Sequence, residues 1–456
     1  MSMSASQSKP SPQATAALNI TALHGHSASH GSKALIVFAS TLGTTIEWYD
    51  FFLYGVLTPL VLNRLFFPSL SPTLGTIAAY TTFAVGFLSR PIGGIIFGHF
   101  GDRIGRKTIL VLTMLIMGGS TFLIGALPTT AVIGVAAPLL LLLLRVLQGI
   151  GIGGEWGGAV LMTIEHATPG KRSLYGSWPQ LGVPLGLMSS AAVVEVLNLL
   201  PDSVFLSWGW RIAFFLSGLL VAIGLYVRLK ILETPDFEKA RREERIVPVP
   251  VVVMFRDFKR EVLLTLGARY VEGACFNTFG VFSIYYITHS LGLTRGDALN
   301  AVIIASALML PFIVLSGWLA DRFGLRRIFA IGAVFIGVSS VLSFWAMHNW
   351  GAHNYGVVLL GLIVPFSLAY PMVYGPESSL FASQFDAHVR YTGVSFAYQF
   401  SGIFASGLTP LIATALIGMG HGKPWLVAGY MVVVALVSLV SVLLMRGISR
   451  EDAQRA

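Results

Sequence analysis

The sequence predicts an all-α membrane protein with twelve transmembrane helices in two pseudo-symmetric six-helix bundles. Three observations carry this expectation: a composition too apolar for water, twelve stretches long enough to cross a bilayer, and a repeat that returns at one offset.

Of the 456 residues, 55% are hydrophobic and 11% charged, where a soluble chain carries about 25% charged residues. The mean hydropathy is +0.75. The 49 glycines fit as well, since Gly is commoner in membrane helices than in soluble ones. Cys275 is the only cysteine, which excludes an intrachain disulfide and a thiolate metal cluster.

A spanning helix needs about 20 mostly apolar residues. Stretches that qualify run over 34–62, 73–97, 108–127, 132–161, 173–199, 209–229, 261–289, 297–319, 327–347, 354–381, 391–417 and 425–446. Residues 1–32 are Ser-, Ala-, Gln- and His-rich, without a signal-peptide core, and read as a disordered cytoplasmic tail. The expected organisation is this tail, an N-terminal half over 33–229, a charged linker over 230–260, a C-terminal half over 261–446 and a short tail over 447–456. The linker holds ETPDFEKARREER followed by VPVPVVV, an amphipathic connector too short to be a domain.

The formal net charge of +9 raises the question of nucleic acid. The cations instead follow the positive-inside bias. With both termini inside, only Arg64, Arg211, Arg295 and Lys423 fall outside, and only Arg90, Arg145 and Arg269 fall within spans. The basic residues are scattered over many loops, so no nucleic-acid surface is expected.

The repeat is the third observation. GHFGDRIGRK (98–107) returns as GWLADRFGLRR (317–327), which sets Asp102 and Asp321 219 positions apart. Gln180 and Gln399 keep the same offset, and Arg172 and Arg390 open the fifth helix of each half. Two parallel repeats put a substrate site between them, near the midplane. In the duplicated loop, Gly98 and Gly105 allow close packing, while Asp102, Arg103, Arg106, Asp321 and Arg322 lie at the membrane surface. A carboxylate there can face a helix N-terminus of another span, which favours negative charge. Such a contact would form in one state of a carrier and break in another, so these residues are the expected gate.

This loop resembles the signature of the major facilitator superfamily, and RVLQGIGIG (145–153) resembles that superfamily's second motif. GTTIEWYDFFLYG (43–55), SRPIGGIIFGHFGDRIGRK (89–107), GGEWGGA (153–159), WGWRIAFFLSG (208–218) and RYTGVSFAYQ (390–399) are similar to the metabolite:proton symporter family. The resemblance spans about residues 40 to 446. It implies the major facilitator fold and proton-coupled uptake of small metabolites, often carboxylates and in some members proline or betaine. The chain departs from the pattern at Leu325, where an Arg is usual, and in GPESSLFASQF (375–385). There Glu377 stands for the usual Gln and Ser383 for the usual Glu. The resemblance therefore leads us to expect a gate that relies more on Asp102 than on Asp321.

Charged residues inside spans are costly and normally face a cavity. Glu47 lies about 20 Å along a helix that starts near Ala34, at 1.5 Å per residue, hence near the midplane. Asp50 and Tyr54 follow at successive turns of one face. Arg145, Gln148 and Glu155 share a face of the fourth helix. A proton carrier needs a carboxylate whose burial and neighbouring charges are closely balanced. Asp50 or Glu47 beside Arg145, with Glu155, would suit this, a permanent structural ion pair being the alternative. Arg90 and Arg269 are the candidate anion clamp, because a guanidinium holds a carboxylate by two parallel hydrogen bonds. Glu272, three residues after Arg269, makes an internal pair equally open. Asn277, Trp178, Gln180, Tyr398 and Gln399 complete the expected binding set.

The expected function is a proton symporter importing a small organic anion. A proline or betaine symporter and a non-accumulating receptor are the rivals. A membrane enzyme would need a nucleophile or metal constellation, and no motif such as GxSxG or HExxH occurs. No cofactor besides the proton, no metal and no obligate protein partner is expected, and the bacterial inner membrane is the expected location.

Overall fold

The computed structural model describes residues 41–94, 96–97, 106–153, 163–164, 167, 170–230, 250–386 and 389–446. Gly98, Asp102, Arg103, Gly105 and Glu155 lie outside the described residues, as does the side chain of Arg106. Both tails and most of the linker lie outside them too.

Among the described residues the chain forms twelve long helical segments and no strand. In the first half these are α1 (41–66), α2 (72–94), α3 (Arg106–Ala126), α4 (Ala136–Ile152), α5 (Arg172–Asn198) and α6 (Asp202–Tyr226). A short helix, Pro250–Asp257, precedes the second half. There follow α7 (259–290), α8 (Arg295–Phe323), α9 (Leu325–Gly351), α10 (Tyr355–Ala382), α11 (390–419) and α12 (Trp425–Leu444). Seven of these, α5, α6 and α8 through α12, are long and apolar enough to cross a membrane. Val111–Ala126 and Ala136–Ile152 are shorter apolar helices. α7 is less apolar because it carries Arg269, Glu272 and Asn277, the residues that build the site.

Local chemistry sets the helix limits. Ser71 caps α2 by accepting from the Leu74 amide, with Pro72 at the first helical position. Thr294 and Asp297 form a reciprocal capping box at the start of α8. Gly324, at φ 102°, makes the turn between α8 and α9, a conformation that a side chain would resist.

Within the halves, α3 packs on α4 and α6, α2 on α4, α9 on α10 and α12, and α7 on α11 and α12. Across the halves, α5 lies along α8 and α2 along α11. Lipid tails are as apolar as these side chains, so close backbone approach, not hydrophobic burial, holds such helices together. The crossing of α2 and α4 shows this. A Cβ added at Gly149 would lie 2.0 Å from the Gly86 carbonyl oxygen and from Ser89 Oγ, and one at Gly153 would lie 2.0 Å from the Arg90 carbonyl oxygen. Large apolar side chains such as Leu123, Leu143, Leu342 and Leu443 point outward, as a lipid-facing surface requires. Trp208, Trp345, Trp350 and Trp425 are exposed at the ends of α6, α9 and α12 on the face opposite Arg446, where amphipathic indoles suit a membrane–water boundary.

Candidate functional site

Midway along the helices, buried charged side chains from α2, α7 and α10 meet between the halves. Arg269 on α7 is the hub. Its Nη2 lies 3.4 Å from Glu272 Oε2 and its Nε 3.5 Å from Glu377 Oε1 of α10. Nη1 donates to Ser401 Oγ of α11 at 3.1 Å. The guanidinium carbon sits 3.7 Å above the Tyr398 ring. The Tyr370 hydroxyl donates to Glu272 Oε1 at 2.9 Å. Both oxygens of Glu377 are buried without a hydrogen bond. Widened π turns at Asn277–Phe282 and Ile363–Ala369 adjoin the cluster, a feature frequent at functional sites.

Arg90 of α2 faces this cluster from the other half. Its guanidinium carbon lies 4.1 Å from the Phe87 ring centre, 4.3 Å from Phe51 and 4.9 Å from Trp48. Tyr398, Arg269, Arg145 and Glu272 are its charged and titratable neighbours. Its Nε and Nη2 have no hydrogen-bond partner. Arg90 and Arg269 are each only 1% exposed, so the centre is closed off from both faces.

Asp50, also fully buried, belongs to a second network in the first half. Arg145 Nη1 donates to Gln148 Oε1 at 2.5 Å, and Gln148 Nε2 donates to Thr121 Oγ1 at 2.5 Å. The hydroxyls of Thr121 and Ser217 are the neighbours of the Asp50 carboxyl, whose oxygens lack a well-formed hydrogen bond. The expected direct pairing of Asp50 with Arg145 is corrected here. No ion pair joins them among the described residues, and Gln148 and Thr121 stand between. Arg145 instead packs over Tyr54 and Phe51, at 4.4 and 4.5 Å. Tyr54 itself bonds to Thr82. Glu47 is buried as well.

The two glutamines of the repeat make matching cross-half contacts. Gln180 Nε2 of α5 donates to the Tyr374 carbonyl at 2.7 Å, and Gln399 Nε2 of α11 donates to the Gly153 carbonyl at 3.0 Å. Asn277 Nδ2 is turned back to the Gly273 carbonyl of its own helix, at 2.9 Å. Trp178 does not join the cluster. It is 40% exposed, because its neighbours Ser177, Pro179 and Gln180 occupy the inward face of the α5 turn. Tyr370, Tyr374 and Ser401 escaped the sequence reading. Tyrosine and serine are common in spans, and only the packing of α7 against α10 and α11 makes these three distinctive.

Both ends of the crevice are latched. On the Arg446 face, Asp321 of α8 accepts from the Ser173 and Leu174 amides at the start of α5, each at 2.9 Å. This is the expected contact of a loop carboxylate with a helix N-terminus, seen here for Asp321, whereas Asp102 is outside the described residues. Arg322 packs near Trp318 and Phe323. On the opposite face, Arg295 pairs with Asp202 at 3.0 Å and Asn300 Nδ2 donates to Glu195 Oε1 at 3.1 Å. A recess of about 500 Å³ opens there, lined by Arg64, His289 and Arg295 among others. The arrangement is occluded, with a charged centre between two latches.

Charge-assisted bonds contribute about 1.5–3 kcal/mol each. Asp321→Ala is therefore expected to open the Arg446 face at least about tenfold more often. A Cys introduced at buried Ser177, against Gly317 of the other half, should then react faster with a soluble maleimide. The native Cys275 is buried and gives little background. An unchanged labelling rate would remove Asp321 from the latch.

Known proteins bear on this geometry. A sequence model of the Major Facilitator Superfamily matches residues 40–406 and 265–455. The Shikimate transporter of Escherichia coli (strain K12) is 39% identical over 420 residues, covering 91% of this chain and 94% of that protein. The Inner membrane metabolite transport protein YhjE of the same organism is 38% identical, covering 91% and 94%. The Glycine betaine/proline/ectoine/pipecolic acid transporter OusA of Dickeya dadantii (strain 3937) is 34% identical, covering 90% and 82%. Among solved structures, a D-xylose-proton symporter superposes with a TM-score of 0.71 at 20% identity, over 89% of this chain and 96% of that one. The E. coli xylose transporter XylE, in a partially occluded inward open conformation, gives 0.69 at 18% identity, over 90% and 96%. At such identities the likeness speaks for the fold alone.

Proposed function

Because the chain belongs to the major facilitator superfamily and, within it, to the metabolite:proton symporters, we propose that it imports a small carboxylate with a proton by alternating access, across a bacterial inner membrane and with both termini inside. One observation carries the substrate class: two buried guanidiniums, Arg90 and Arg269, converge from opposite halves, and two nitrogens of Arg90 lack partners. An anion is the natural partner for such donors, and it would draw the halves together. A hydroxylated carboxylate such as shikimate, named for one relative, also suits the hydroxyls of Tyr370, Tyr374 and Ser401.

The proton is assigned to Asp50. Its carboxyl is fully buried beside the hydroxyls of Thr121 and Ser217, and the Gln148–Thr121 bridge couples it to Arg145. Charging it costs desolvation; neutralising it frees the network to rearrange.

The test is uptake into proteoliposomes under an imposed pH gradient, with shikimate, lactate, succinate, citrate, benzoate, proline and glycine betaine. Accumulation of a carboxylate supports the reading; no gradient-driven accumulation of any solute overturns it. Asp50→Asn should abolish accumulation while leaving exchange at equal pH intact; accumulation at the wild-type level would exclude Asp50. Arg90→Lys should raise the half-saturation concentration by about tenfold to a hundredfold, since one charge-assisted bond is lost. An unchanged value would remove Arg90 from the clamp.

A second reading has its own support. Glu272 and Glu377 lie among Tyr370, Tyr374 and Tyr398, and carboxylates with aromatic faces suit a quaternary ammonium. Accumulation of glycine betaine alone would favour it.

A further inference from the structure

The second carboxylate on Arg269 has no part in the mechanism above. Glu377 is fully buried, directly follows Pro376 inside α10, and takes no hydrogen bond at either oxygen. Among the described residues its one ion pair is with the Nε edge of Arg269, at 3.5 Å. Glu272 differs, because Tyr370 holds it and Arg269 reaches it through another nitrogen. The groups facing Glu377 are Arg269 and Glu272 from α7, Tyr398 from α11, and Tyr370 and Tyr374 from α10 itself.

Charge bookkeeping then sets a constraint. Between the halves Arg90 and Arg269 stand against Glu272 and Glu377, and the four cancel when all are ionised. Arg145 belongs to the network of the first half, where the Asp50 carboxylate offsets it through Gln148 and Thr121. A substrate anion entering that centre would bring an uncompensated negative charge into a site from which water is excluded, which desolvation opposes strongly. The simplest relief is to neutralise the carboxylate that is tied by the fewest bonds.

We infer that Glu377 is an internal counter-anion that occupies the substrate carboxylate's place on Arg269, and that protonating it admits the substrate. When Glu377 takes a proton, its carboxyl no longer competes for the Nε edge of Arg269. The substrate carboxylate takes that edge, and the centre is again neutral. Proton and anion therefore enter the site as a pair. This rests on the carboxylate reading above and adds a second protonatable group to it: Asp50 governs the conformational step and Glu377 the binding step.

The two roles separate experimentally. Equilibrium exchange in proteoliposomes, with equal pH on both sides, measures apparent affinity without a gradient. The probe is the carboxylate accumulated fastest in the panel above. In the native protein the half-saturation concentration should rise with pH, approaching tenfold per unit once Glu377 is ionised, as one-proton linkage requires. Glu377→Gln keeps the shape and removes the charge. Its affinity should be independent of pH and, at the alkaline end, at least tenfold tighter than native. Asp50→Asn, which leaves the charge of this centre unaltered, should retain the native slope. If Glu377→Gln keeps the native slope, the inference fails while the carboxylate reading stands. If no carboxylate exchanges at any pH in the native protein, the carboxylate reading itself fails and this inference with it. Should Glu377→Gln yield no folded protein, Glu377→Ala with acetate added to the buffer tests the same point. Acetate should then compete with the probe in the variant and not in the native protein, and equal competition in both overturns the proposal.

Discussion

Arg269→Ala is expected to abolish uptake and to destabilise the protein by about 3–5 kcal/mol, because it strips the shared cation from two buried carboxylates. Glu272 would keep the Tyr370 hydroxyl and the more distant Arg90, and Glu377 would lose the one ion pair it makes among the described residues. Two like charges in a closed centre repel strongly, so the variant should melt at a lower temperature in detergent. The repair shows which effect dominates. Neutral side chains of similar shape can replace a buried ion cluster at little cost. Combining Arg269→Gln with Glu272→Gln and Glu377→Gln should therefore restore the melting temperature without restoring uptake. If the single variant melts like the native protein, the cluster is not energetically coupled as drawn. If the triple variant transports, Arg269 is not part of the clamp.

Gly149→Ala should act through packing alone. The added methyl would meet the Gly86 carbonyl oxygen and Ser89 Oγ at 2.0 Å, and a backbone oxygen cannot swing aside. Helices α2 and α4 would have to separate, at a cost of about 3 kcal/mol or more. Arg90 and Arg145, which these helices carry, would move with them. Gly86→Ala makes an informative contrast. There the new methyl meets Arg145 Nη2 at 2.8 Å, the end of a long side chain that can yield. Gly86→Ala should fold with near-native thermal stability, yet disturb the Arg145–Gln148–Thr121 chain and so reduce accumulation. Equal loss of folded protein in the two variants would contradict this account of the crossing.

The occluded arrangement also gives the two latches different chemistry. The Arg446 face is held by a carboxylate on helix amides, which are fixed dipoles. The opposite face is held by an ion pair whose Asp202 is 75% exposed. Such an exposed pair contributes little and weakens with salt.

Architecture was legible in the sequence because a bilayer imposes simple demands. Each crossing needs an apolar stretch of fixed length. The 219-position offset reappears as matching contacts, with Gln180 reaching Tyr374 across the halves and Gln399 reaching Gly153. The cost of burying charge also singled out Asp50, Arg90, Arg145 and Arg269, because such residues persist in spans only at function or structure.

Pairing was not legible. Helical periodicity places side chains on a face but does not say which face of another helix will meet it. Asp50 and Arg145 therefore read as a natural pair, and the fold puts Gln148 and Thr121 between them. Trp178 read as a site residue, and the α5 turn leaves it 40% exposed. Glu377 stood out in the sequence only as a departure from a family pattern, and the packing of α10 on α7 sets it against Arg269. By itself the sequence determined the membrane class, the two halves and the buried charges, since each follows from local composition and the cost of leaving water. Only the tertiary structure decided which charges share a partner, because that depends on how helices more than a hundred residues apart in the chain are rotated against each other.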